Sequence, residues 1–147
     1  MKTNLDLARL LVRKAESDLA NARRTLDSEG PYDTGLFHCQ QMVEKYLKAL
    51  LAVHDVQYPK IHDVTELAAL GVAYCPAIQT LPFDLAEFNP FAVTIRYDDW
   101  DEDVSGGLLY EAYEHCSQVR AMIRDVLPES VRAPAEKPPQ EQEPADP

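Results

Sequence analysis

Glycine is scarce, with five residues in 147, and none falls in a GxGxxG pattern or a P-loop, so a phosphate-cradling glycine turn is not encoded. The cysteines are few and odd in number. Cys39, Cys75 and Cys116 include no CxxC pair, which argues against a disulfide framework or a zinc knuckle and leaves reduced, partly buried thiols as the expectation. HExxH is missing too, and no metal or cofactor motif stands elsewhere, so no cofactor is expected. No sustained alternation of apolar and polar residues is present, as a sheet core would need. The opening stretch MKTNLDLARLLVRKAESD carries charges throughout its apolar part, unlike a secretory leader or a membrane span. The expectation is a cytoplasmic protein with no membrane partner.

Positive charge is also short. The formal charge is −11, with 14 basic against 25 acidic residues, and its distribution is uneven. Residues 1–24 hold six basic and three acidic groups. Residues 80–114 hold nine acidic groups and one basic residue, Arg96. Such a field repels nucleic acid unless a local basic face overrides it, so nucleic acid is not the expected partner. The first helix could be such a face, although a solvated helix surface is the simpler reading.

What is abundant is helical periodicity. Over residues 5–28, Leu7, Leu11, Ala15, Leu19, Ala22 and Leu26 recur at spacings of three and four. Gly30-Pro31 stops that helix, and Asp33 or Thr34 is the expected cap of the next, which runs to about His54. Glu44 and Lys48 within it are spaced i, i+4 in the favourable order, worth roughly 0.2–0.5 kcal/mol if exposed. A short Gly-Pro link between two such helices predicts an antiparallel hairpin. Asp63 begins a shorter helix from Val64 to about Ala73. An apolar stretch over 83–97 is broken near Asn89 by Pro90. Leu108 to Leu127 forms the last helix, so the domain is expected to end at 127. The five aromatics Phe83, Phe88, Phe91, Tyr110 and Tyr113 exceed what one small core is expected to cover.

From Pro128 the composition changes. Six of the last twenty residues are proline and five are acidic. Residues 128–147 read as a disordered, dispensable tail, because such a segment buries too little surface to offset the entropy of ordering.

Few residues suggest chemistry. Asp99-Trp100-Asp101-Glu102-Asp103 begins like a calcium loop, but Val104 stands where glycine is needed and Tyr110 where a bidentate glutamate should be. A solvated acidic loop is the better reading. Arg96, directly before Tyr97, either neutralises its acidic surroundings or anchors a phosphate or a partner carboxylate. His62-Asp63 is either a loop histidine with a helix cap or a polar cluster that converges on Arg96. His38, Cys39 and Gln40 read most simply as packing and interhelical hydrogen bonds.

The string Phe37-His-Cys-Gln-Gln-Met-Val-Glu-Lys-Tyr-Leu-Lys-Ala-Leu50 and its flanks resemble the second-helix signature of HEPN domains. His62-Asp63 followed by Leu67 resembles the family's H-D-L feature. Arg96-Tyr97 resembles the R-Y that ends its fourth helix, and LVRKAESDLANA resembles its first helix. The likeness spans about residues 5–127. It implies an all-α, up-and-down bundle of four to five helices, usually a homodimer, often paired with a minimal nucleotidyltransferase in toxin–antitoxin-like modules. Ribonuclease members carry an arginine followed a few residues later by a histidine. Here the histidines nearest after Arg24 and Arg96 are His38 and His115, and neither spacing fits. The chain therefore resembles the R-Y branch, described as binding a nucleotide or substrate. In that branch Arg96, Tyr97, His62 and Asp63 would line one cleft, with Lys45 or Lys48 at its rim. The expectation is a binding module with no catalytic residues and no metal. A divergent RNA-cleaving toxin that uses Arg96 and His62 is the alternative.

Overall fold

The computed structural model describes residues 2–93 and 104–132, and all regular structure among them is helical. Thr3 starts the first helix, α1 (Asn4–Leu26), through a reciprocal capping box. Its hydroxyl accepts from Asp6 N at 3.1 Å while the Asp6 carboxylate accepts from Thr3 N at 2.9 Å. The buried line of α1 is Ala8, Val12, Ala15, Asp18 and Ala22. Ala15 and Ala22 of the stripe expected of the sequence lie on that line, but its leucines do not: Leu7 is 39% exposed, and Leu11, Leu19 and Leu26 only flank the core. The small side chains at 8, 15 and 22 repeat every seven residues and form the seam, because they let a neighbouring helix approach.

That neighbour is α2 (Asp33–Val53), the central helix, which also packs against the later helices. The cap expected at Asp33 or Thr34 is not used. Tyr32 occupies the cap position without a side-chain bond, and Asp33 lies in the first turn, where a carboxylate suits the positive helix end. Asn4 bonds Asp55, and Asp18 bonds Lys45, so α1 and α2 run antiparallel.

Asp63 caps α3 (Val64–Gly71) as expected, accepting from Thr65 N at 2.9 Å. Two 3-10 turns follow, Pro76–Thr80 and Leu85–Phe88, and the second leads into α4 (Asn89–Val93). Pro90 stands in the first turn of α4, where its missing N–H is not needed. Ser105 then caps α5 (Gly106–Val126), accepting from Leu108 N at 3.1 Å and starting the helix before the expected Leu108. A Cβ on Gly35 would lie 2.6 Å from a Leu109 methyl, so the glycine lets α5 close on the start of α2. Further along, Arg124 reaches Tyr46, which makes α5 parallel to α2 and antiparallel to α1.

All three cysteines are buried. Cys39 of α2 and Cys116 of α5 meet across the core, and that contact together with burial pushes the Cys116 thiol well up. Of the five aromatics expected to exceed the core, Phe88 and Phe91 are buried, and Phe83 and Tyr113 pack against it. Tyr110 alone among the five is exposed, at 57%.

The packed domain passes the end expected at Leu127. Glu129–Arg132 forms a turn of helix, α6, against α1, with Val131 fully buried and Arg132 bonded to the Arg124 carbonyl at 3.0 Å. Pro128 does not stop the chain from docking, because Val131 supplies the apolar anchor that the surrounding composition conceals. The rest of the expected tail, 133–147, lies outside the described residues. Truncation after Leu127 should therefore lower the melting temperature by about 5 °C or more relative to truncation after Arg132, since it removes a buried valine. Equal melting temperatures for the two truncations would show that α6 contributes no stability.

Candidate functional site

Gln40, Glu44 and Lys48 stand one turn apart on α2 and form a polar ridge along it. Glu44 is only 4% exposed and Gln40 not at all. Both oxygens of Glu44 are occupied. Oε1 accepts from Gln40 Nε2 at 3.0 Å and from His62 Nδ1 at 2.9 Å, and Oε2 accepts from Lys48 Nζ at 2.8 Å. Gln40 Nε2 also reaches the His62 carbonyl at 3.1 Å, so Gln40 holds the backbone of the histidine while Glu44 holds its ring. Burial pushes the Glu44 pKa up, but the hydrogen bonds from Lys48, Gln40 and His62 outweigh it and hold the carboxyl below its ordinary value. The pair Glu44–Lys48 is therefore an interior ion pair, so the value given for an exposed pair of that spacing does not apply. Lys48 is 15% exposed at its side chain, and its ammonium stands 5.7 Å from the centre of the Tyr58 ring.

His62 is the outward end of this network. Its side chain is 64% exposed while Nδ1 is tied to Glu44. Nε2 has no partner among the described residues and faces solvent with the ring held in place. Asp63, next in sequence, is taken up locally. Its Oδ1 accepts from Thr65 and from Asn89 Nδ2, the latter at 2.9 Å. Asn89 Oδ1 in turn accepts from Val64 N at 3.0 Å, so the start of α3 is stitched to the start of α4.

The structure thus brings Lys48, His62 and Asp63 to one region, around a glutamate and a glutamine whose central role the sequence did not single out. Lys45 belongs to another network. Its ammonium bonds Asp18 of α1 at 2.6 Å, and the other Asp18 oxygen accepts from His38 Nδ1 at 2.8 Å. His38 is thus an interhelical hydrogen bonder, as its position suggested. Arg96 and Tyr97 lie outside the described residues; in sequence, Arg96 comes three positions after Val93, the last residue of α4. A third network pins α5. Arg120 grips Glu16 of α1 with bonds of 2.6 and 3.0 Å, and the buried Tyr46 hydroxyl donates to the same carboxylate. Burial and the Glu16 charge push the Tyr46 phenol far up, so it stays protonated.

No group of His, Cys, Asp or Glu side chains among the described residues is placed to hold a metal ion, and no helix there is long and apolar enough to cross a membrane. The Glu44 carboxylate is saturated, so it positions His62 and Lys48 and is not itself free as a base. The arrangement can hold an imidazole nitrogen and an ammonium towards a ligand or a protein surface.

A family model described as HEPN domain matches residues 8–128. No curated protein matches the chain. No solved structure matches it either.

Lys48→Met should destabilise the fold by about 3 kcal/mol, because it leaves Glu44 buried without its counter-charge. In the wild type the folded pKa of Glu44 is lowered from 4.5, so its contribution is present above that pH and lost as pH falls through the folded value. In Lys48→Met burial dominates and raises the folded pKa above the unfolded one, so Glu44 should no longer contribute an acid-induced loss, and the deficit of the variant should shrink as pH falls. Urea unfolding at a series of pH values reads both effects. An acid limb at the same pH in both proteins would mean that Lys48 does not hold Glu44 charged.

Proposed function

The chain belongs to the HEPN domain family, and on that premise we propose that it is a binding module, which pairs with a second copy of itself and engages a minimal nucleotidyltransferase in a toxin–antitoxin-like or nucleotide-binding system. The observation that carries the reading is the saturated Glu44. It holds His62 with its free nitrogen outward at 64% side-chain exposure, a device for presenting a group and not for turning over protons. Lys48 from the same network and Arg96 in the sequence after α4 supply positive groups for a phosphate or a partner carboxylate. The nine acidic groups of residues 80–114 favour a compact or protein ligand over an RNA backbone.

The test is made on the full chain, alone and with a minimal nucleotidyltransferase. Light scattering at tens of micromolar should give a dimer mass. Arg96→Ala and His62→Gln should each weaken partner or nucleotide binding by about tenfold or more, as loss of a charge-assisted contact of roughly 1.5–3 kcal/mol implies. Both should keep the wild-type melting temperature, and the purified protein should leave RNA intact. RNA cleavage that Arg96→Ala abolishes would replace this reading with that of a toxin. An Arg96→Ala protein that unfolds would make Arg96 a structural counter-charge for the acidic segment.

A further inference from the structure

The turn between α1 and α2 carries an open depression, apart from the Glu44 network, lined by Asn21, Arg24, Thr25, Ser28, Thr34 and His38 among others. Two of its hydroxyls are spent on the backbone. Thr25 Oγ1 donates to the Asn21 carbonyl at 3.0 Å, and Ser28 Oγ donates to the Thr25 carbonyl at 2.7 Å. Three polar groups are not spent. Arg24 has a single partner among the described residues, the neutral Asn21 Oδ1 at 2.7 Å, and no carboxylate. The Thr34 hydroxyl and His38 Nε2 have no partner among those residues.

The imidazole is built into place. Asp18, only 7% exposed, takes His38 Nδ1 at 2.8 Å and Lys45 Nζ at 2.6 Å on its two oxygens. Nδ1 is thereby committed, and Nε2 is the nitrogen left for the depression, with the side chain 26% exposed. The Lys45 ammonium balances Asp18, so the buried carboxylate does not cancel the charge of Arg24. Asp27 is likewise taken up by Arg23 at 3.0 Å.

We propose that this depression binds a phosphate monoester, with the phosphoryl oxygens held by the Arg24 guanidinium, His38 Nε2 and the Thr34 hydroxyl. A guanidinium free of carboxylates takes two oxygens of one phosphoryl group side by side, and the other two groups reach the third oxygen. Glu29 and Asp33 stand at the same end of the hairpin. They keep the wider field from being strongly positive, so the ligand is a compact dianion bonded directly and not a long polyanion gathered by charge.

The experiment titrates the full chain with inorganic phosphate and, separately, with AMP, at fixed pH and with ionic strength matched by sodium chloride. Carbon-detected resonances of the histidine rings are followed. The His38 signal should move and saturate with both ligands, while those of His54 and His115 stay in place. Arg24→Gln should weaken the effect at least about tenfold. Thr34→Val should weaken it less, and His62→Gln should leave it unchanged, which separates this site from the Glu44 network. Arg24 is exposed and, among the described residues, bonded only to Asn21, so Arg24→Gln should melt like the wild type. The proposal is overturned if the His38 signal drifts linearly with all the others, if Arg24→Gln titrates like the wild type, or if AMP is excluded while phosphate binds.

Discussion

Burial of one carboxylate orders the polar half of this molecule. Glu44 stands on the helix that the others enclose, where a charge is tolerated only with a counter-charge and filled hydrogen-bonding positions. Its partners come from different places: Gln40 and Lys48 from the turns on either side, His62 from the segment after α2. Meeting that demand fixes the path of the connection. Once His62 is held, Asp63 falls at the cap of α3, and Asn89 bonds it from the start of α4. A requirement set inside the bundle thus places the groups that face outward.

The same economy runs along α1. Glu16 and Asp18, its two acidic residues past the first turn, both point inward onto other helices, to Arg120 with Tyr46 and to His38 with Lys45. The surface of α1 is therefore more basic than its composition suggests, since those two charges are balanced within the bundle. Small residues do the complementary work. Ala8, Ala15 and Ala22 let the helix backbones approach, and Gly35 admits Leu109.

The order of the longer helices and several of their ends were legible because punctuation is local. Gly30-Pro31, Asp63 and Pro90 each act within a turn of their own position. What escaped was long-range. The stripe read from α1 held Ala15 and Ala22 but was mostly leucine, and it missed Ala8 and Val12; the seam is made by the small residues, which a hydrophobicity pattern ranks lower and close packing requires. The i, i+4 spacing of Glu44 and Lys48 left their exposure open, because it is the same on every face of a helix; only the helices around α2 turn that pair inward. The clue was present in Gln40, a third polar residue on the same ridge. His38 and Arg24 are far apart in sequence, and it takes the hairpin to bring them to one depression. Val131 was masked by the prolines and glutamates around it.

The burial of all three cysteines, Cys39, Cys75 and Cys116, gives the chain a built-in clock. Cys39 and Cys116 are covered by packed helices, and burial pushes the Cys75 thiol up as it does that of Cys116, so the folded protein offers a modifying reagent no ready thiolate. A thiol-specific dye added to the native protein reads out opening events and not surface chemistry. Its uptake divides between Cys75, beside the 3-10 turn of Pro76–Thr80, and the pair at the α2–α5 contact, so the order of labelling tells which part of the bundle breathes first.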